Sequence, residues 1–214
     1  MNYKAFIFDL DGVIVDTAKF HFLAWQRLAK ELDFEFTEEH NEKLKGVSRM
    51  TSLEILLDVG GISKSMEEKE ILARKKNEWY VEYINHLTPA DILPGAFDLL
   101  THLQREKILI ALGSASKNAR NILTHIGLLS FFDSIVDGFK VTNAKPDPEV
   151  FLKAAEELKV NPADCIVFED AIAGVEAAHN AGMKCVGVGH PDILSEAEWV
   201  VPDLVGFDTK MLFR

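Results

Sequence analysis

Asp9-Leu10-Asp11-Gly12 sets two carboxylates two residues apart, directly after the apolar run Ala5–Phe8. Three more groups stand in comparable places. Gly113-Ser114-Ala115-Ser116-Lys117-Asn118 follows the apolar run Ile108–Leu112, Ala144-Lys145-Pro146 precedes a helical pattern, and Glu169-Asp170 follows Cys165–Phe168. Singly, each has an ordinary explanation. Asp-Gly is a common turn, a serine after a strand caps the next helix, a lysine is solvated, and an acid pair can end a strand. Collected at one sheet edge, however, Asp9, Asp11, Glu169 and Asp170 repel one another unless a cation joins them. A hard divalent ion with oxygen ligands, Mg²⁺, meets that need. Ser114, the amides that follow it and Lys145 would then hold a phosphate, with a helix N-terminus contributing its dipole.

The elements that must bring these residues together are legible from hydropathy. Ala5–Phe8, Ile108–Leu112, Cys165–Phe168 and Cys185–Val188 are short continuous apolar runs, with weaker ones at Ser134–Val136 and Trp199–Val201. Such runs alternating with helices are the mark of parallel strands covered on both faces, and ligands of such sheets bind beyond the strands' carboxyl ends. Amphipathic spacing predicts helices over 95–106, 117–127, 147–159 and 171–181, with Gly127 and Gly182 as stops. Between the first two strands the rhythm breaks. Phe20, Leu23, Ala24, Leu28 and Leu32, then Leu53, Leu56 and Leu57, then Ile71, Trp79, Tyr83 and Ile84 all fall at helical spacing. That connection is too long for one crossover helix. The expected architecture is an α/β, doubly wound, Rossmann-like parallel-sheet core over 1–15 and 89–214, with an α-helical cap inserted over 16–88.

Composition narrows the partners. The 214 residues carry 34 acidic and 23 basic side chains, a net charge of −11, which opposes a broad nucleic-acid or anionic-membrane surface. No stretch approaches the roughly 20 apolar residues of a membrane span. No secretory signal is visible at the amino terminus, and Cys165 and Cys185 lack any metal or redox spacing. Two buried free thiols in a reducing cytoplasm are expected, and a chain of this length needs no staple to bury a core.

In order along the whole chain, Asp9-Leu10-Asp11-Gly12-Val13, Ser114, Lys145-Pro146 and Glu169-Asp170 resemble the four motifs of the haloacid dehalogenase-like phosphotransferases, with the helical insertion where that superfamily carries its cap. The resemblance implies Asp9 as nucleophile, forming an aspartyl-phosphate, and Asp11 as general acid/base. It implies Mg²⁺ held by Asp9, the Asp11 backbone carbonyl, Glu169 and Asp170, with Lys145 neutralising the transferring group.

In the cap, Asp16-Thr17, His21, Trp25, the block Lys45-Gly46-Val47-Ser48-Arg49-Met50-Thr51-Ser52 and Lys75-Lys76-Asn77 resemble the β-phosphoglucomutase family, as does Ser114–Asn118 in the core. There a β-glucose 1,6-bisphosphate intermediate primes the reaction and reorients, so each end of the site must bind a phosphate. The resemblance implies a site lined by Thr17, His21, Trp25, Lys45, Gly46, Ser52, Ala115 and Ser116, with Arg49 on the distal phosphate, assisted by Ser116, Lys117 and Asn118. His21 and Lys76 would restrain attack by water. Ala171 and His190 depart from the pattern, where Ser and Arg are common. A small sugar phosphate is the expected ligand and a monomer the expected state. A sugar-phosphate phosphatase of the same fold is the enzyme alternative, and a non-catalytic phosphosugar-binding module the other.

Overall fold

The computed structural model of the chain describes residues 3–44 and 47–213. Six parallel strands form one sheet in the order β3-β2-β1-β4-β5-β6, with β1 at Ala5–Phe8, β2 at Leu109–Gly113, β3 at Ser134–Val136, β4 at Cys165–Glu169, β5 at Lys184–Val188 and β6 at Trp199–Val201. The continuous apolar character of β1 has a direct cause, since all four of its residues are fully buried and alternate between two cores. Phe6 and Phe8 face the helices α5 (Ala96–Arg105) and α6 (Ala119–His125), and stack on Phe168 at 5.5 and 4.7 Å. Ala5 and Ile7 face α7 (Glu149–Leu158) and α8 (Ile172–Asn180). Both expected free cysteines are buried in strands, where burial pushes the Cys165 thiol up to about 12.

Register does the positioning. Phe8 lies opposite Leu112 on one side and Phe168 on the other, so Asp9, Gly113 and Glu169 emerge side by side at the carboxyl edge. The Asp9 N–H still donates to the Phe168 carbonyl at 2.9 Å.

Between β1 and β2 the chain forms α1 (Ala18–Glu31), the short α2 (Glu38–Glu42), α3 (Arg49–Val59) and α4 (Met66–Ile84). Their starts are written in the sequence. Thr37, Ser48 and Ser65 each accept the N–H three residues on, the standard use of a hydroxyl at a helix start. The outgoing and returning segments cross side by side: Val15 bridges Ile92, and the Leu93 N–H donates to the Ile14 carbonyl at 2.9 Å. Leu10, Val13 and Ile14 continue the sheet's apolar core into the packing of Trp25, Leu28, Leu53, Leu56 and Tyr80. Two residues at helical spacing turn outward instead. Leu23 and Ile71 are 45% and 55% exposed, because the buried stripes of α1 and α4 run along Ala24, Trp25 and Leu28 and along Ala73, Lys76 and Tyr80. No helix among the described residues is long and apolar enough to cross a membrane.

Candidate active site

At the carboxyl edge of the sheet lies a cleft of about 570 Å³, floored by Asp9, Asp11, Ser114, Lys145, Glu169 and Asp170 and roofed by His21, Trp25, Arg49 and Lys76. Lys145 is its electrostatic hub. Its ammonium is buried and donates to Asp9 Oδ1 at 2.6 Å and to Glu169 Oε1. Burial alone would depress a lysine; Asp9 and Glu169 overcome it and hold the ammonium above its ordinary range.

The acidic groups divide the work unevenly. Glu169 is expected as a metal ligand, yet Oε1 takes Lys145 while Oε2 accepts the N–H groups of Asp170 and Ala171 at 2.9 and 3.0 Å. Oε1, with a single donor, keeps a lone pair that a cation could share. The carboxylate lies so close to α8 that a Cβ on Gly174 would stand 1.9 Å from its carbon, so glycine is required there. Asp170 has no such support. Burial first, then Glu169, Asp9 and Asp11, push its carboxyl well above the ordinary range, and its Oδ2 lies 2.1 Å from where a Cβ on Gly12 would sit. Gly12 also has φ +81°, so backbone conformation and close approach both demand glycine at that turn. Asp11 is pushed up to about 8, chiefly by burial and then by Asp9, and its Oδ1 is buried without a hydrogen-bond partner.

Asp9 and Glu169 sharing one lysine, with Asp170 crowded beside them, suit a divalent cation. No three acidic, imidazole or thiol side chains among the described residues form a cage by themselves. A hard divalent cation needs no such cage, since it takes one or two carboxylates plus backbone, water and phosphate oxygens.

The phosphate loop differs from expectation in its geometry. The helix after it begins at Ala119, not near 117, and spans seven residues. Ser114 Oγ accepts the Ser116 N–H and Ser116 Oγ accepts the Asn118 N–H, both at 3.2 Å. The loop is therefore shaped by its own hydroxyls, which take the Ser116 and Asn118 N–H groups, and Ser114 through Asn118 line the cleft. Ser116 also accepts the Gly138 N–H on its carbonyl at 3.2 Å. Asn118 Nδ2 donates to Asn77 Oδ1 of α4 at 2.9 Å, a direct link between loop and cap. The ammonium of Lys117 rests 5.5 Å from the Phe139 ring.

From the cap side, Lys76 is 1% exposed, its Nζ 2.9 Å from His21 Nδ1 and 4.4 and 4.8 Å from the Trp25 and Tyr80 rings. Burial drives both Lys76 and His21 well below their ordinary values, reinforced for Lys76 by Arg49 and for His21 by Lys76 and Arg49. Arg49 opens α3, where a cation opposes the helix dipole, and no carboxylate among the described residues pairs with it. Arg49 lines the cleft. Ser52 and Ala115 line the cleft as expected. Thr17 does not: it is fully buried at the start of α1 and accepts the Tyr80 hydroxyl at 3.2 Å. Lys45 and Gly46 lie outside the described residues.

Residues that motif reading missed also line the cleft. Asn41, Glu70 and Arg74 come from the cap, and Gly138, Val141, Thr142 and Asn143 from the segment after β3. The latter had a usable signal, since they follow a strand's carboxyl end, but β3 has only three residues and its hydropathy is correspondingly faint.

A family model described as haloacid dehalogenase-like hydrolase matches residues 6–188. β-Phosphoglucomutase of Bacillus subtilis is 48% identical over 92% of this chain and 88% of its own length. A phosphorylated carbohydrates phosphatase of Thermotoga maritima is 34% identical over 87% and 86%. The crystal structure of β-phosphoglucomutase from Clostridium difficile superposes with a TM-score of 0.95 at 46% identity, covering 100% of this chain and 96% of that one.

Proposed function

This chain belongs to the haloacid dehalogenase-like hydrolase family, and within it we propose that it is a β-phosphoglucomutase, interconverting β-D-glucose 1-phosphate and glucose 6-phosphate. The observation that carries this reading is Arg49 at the cap end of a cleft whose other end holds Asp9 and Asp11. A bisphosphate needs an anchor at each end; a phosphatase needs one. The Bacillus and Clostridium mutases support the same reading, while the Thermotoga phosphatase represents the alternative in which water is the acceptor.

Asp9 attacks phosphorus, forming the bond to its carboxylate oxygen as the bond to the sugar oxygen breaks. Asp11, protonated up to about pH 8, delivers its proton to that leaving oxygen. In the return step the other hydroxyl of the reoriented sugar attacks the aspartyl-phosphate and Asp11 takes its proton. Lys145 offsets charge on Asp9 and on the phosphoryl oxygens, and Ser114 with the loop amides orients them. Asp9, the Asp11 carbonyl and Asp170 would hold Mg²⁺, with Glu169 beside them. The bound ion would supply neutralisation of the phosphoryl oxygens. His21 and Lys76, a buried pair 2.9 Å apart with both groups lowered by burial, keep the cap side of Asp11 dry and poised.

Residues 16–88 act as a cap over the core of 1–15 and 89–214, a division supported by the paired crossing segments at Val15 and Ile92. A monomer suffices, because one chain supplies every group in the cleft, and buried free thiols suit a reducing cytoplasm.

Incubation with Mg²⁺ and β-glucose 1-phosphate, with and without a trace of β-glucose 1,6-bisphosphate, tests the reading. Glucose 6-phosphate accelerated by the bisphosphate is expected. Free glucose with inorganic phosphate would make the chain a phosphatase, and no product at all a binding module.

A further inference from the structure

Lys145 is carried by a segment without regular structure between β3 and α7, and that segment is gripped from α7 by two side chains. Glu149 Oε2 accepts the backbone N–H groups of Thr142 and Asn143 at 2.9 and 2.7 Å. Its Oε1 accepts Lys153 Nζ at 2.6 Å, and the same ammonium donates to the Lys140 carbonyl at 2.6 Å. One carboxylate and one ammonium, a helical turn apart, thus bind both kinds of backbone group on the loop. The loop's far end is tied too, since the Asp147 N–H donates to the Ala144 carbonyl at 3.0 Å and Asp147 Oδ1 accepts the Glu149 N–H at 2.9 Å.

As a half-buried ion pair at i,i+4, Glu149 and Lys153 would by themselves contribute little. Their bonds to the loop are of another kind, because a charged acceptor on two consecutive amides fixes backbone position. The Lys153, Asn143 and Thr142 donors hold Glu149 ionised down to about pH 2. What that backbone carries is the buried ammonium that must sit between Asp9 and Glu169, where a displacement of about an ångström is costly to catalysis. We propose that Glu149 and Lys153 are positioning residues for phosphoryl transfer, setting the place of Lys145 Nζ through the backbone of residues 140–144. The inference rests on the role of Lys145 in the proposed function.

The test compares Glu149→Ala, Glu149→Gln and Lys153→Met with the unaltered protein. Glu149→Ala should raise amide hydrogen exchange at Thr142 and Asn143 by about tenfold or more. It should also raise acylation of Lys145 by a small N-hydroxysuccinimide ester, read by mass spectrometry, and slow phosphoenzyme formation from acetyl phosphate by about tenfold, with KM and thermal midpoint little moved. Glu149→Gln, which keeps an acceptor, should recover most of the exchange protection, and Lys153→Met should show a smaller effect of the same sign. Unchanged exchange and Lys145 acylation in Glu149→Ala overturn the inference, as does a rate loss that follows only a fall in thermal midpoint. If the unaltered protein forms no phosphoenzyme, the proposed function fails, and the exchange and acylation measurements still decide the grip.

Discussion

Arg49 and Asp11 show how single side chains are priced by their surroundings. A guanidinium at the first position of α3, unpaired among the described carboxylates, opposes the helix dipole, so removing it should not unfold the cap. Arg49→Ala is expected to reduce isomerisation by about a hundredfold or more, the loss of a bidentate charge-assisted contact, while acetyl phosphate still phosphorylates Asp9. Equal loss of both activities would count against a distal phosphate anchor. For Asp11 the sign is set by burial. Its folded pKa is raised to about 8, so the unfolded chain releases this proton above about pH 4 while the folded chain keeps it. Asp11 therefore costs stability progressively as pH rises from about 4 to about 8, and His21, lowered by burial, acts with the opposite sign below its ordinary value. The difference between two proteins isolates Asp11: without metal, the stability advantage of Asp11→Asn in urea melts should grow from pH 5 to 8 and then level. A pH-independent difference would show that burial does not govern this carboxyl.

At the level of elements, the strand-to-helix turns carry the chemistry and the helix pairs carry the roof. Gly174 belongs to α8, where Ala would ordinarily gain up to about 1 kcal/mol of helix propensity. Here its Cβ would meet the Glu169 carboxyl carbon at 1.9 Å, in a carboxylate pinned by Lys145 and two amides. Overpacking of about 1–3 kcal/mol should win, so Gly174→Ala lowers stability and, by shifting Glu169 and Lys145, activity as well. An increase in urea midpoint with full turnover would show that the β4–α8 turn yields freely. Between α1 and α4, Tyr80 donates to the fully buried Thr17 hydroxyl. Tyr80→Phe keeps the ring against His21, 4.0 Å away, and removes only that bond, at a cost of about 1 kcal/mol in denaturation experiments.

Across the whole molecule, a chain of net charge −11 builds a cleft where Arg49, Lys76 and Lys145 face one small anion. Burial and neighbouring carboxylates raise the Asp11 carboxyl to about 8 and push Asp170 well above its ordinary range. If Mg²⁺ occupies this site as proposed, its binding expels protons. Calorimetry in buffers of different ionisation enthalpy should detect proton release on Mg²⁺ binding at pH 7, with affinity tightening as pH rises toward 8. Binding without proton release would mean that these carboxyls are already ionised.

The local chemistry of this protein was legible in its residues. A strand covered on both faces has to be a continuous apolar run, so Ala5–Phe8, Cys165–Phe168 and their neighbours announced a parallel sheet, and the groups following each run do meet at its carboxyl edge. A helix start is also a local contact over three residues, yet spacing put the helix after β2 near 117 when it begins at Ala119. What spacing could not say is which group neutralises which. Lys145 and Asp9 are 136 positions apart, and only folding decides that Lys145 also occupies Glu169 and that Asp11 Oδ1 is buried without a hydrogen-bond partner. Side-chain direction is likewise a property of packing. It withdrew Thr17 from the cleft, turned Leu23 and Ile71 to solvent, and brought Glu149 onto the loop that carries Lys145. Residue type is fixed by the chain, whereas the partners of a buried charge are settled by the three-dimensional competition for a few donors.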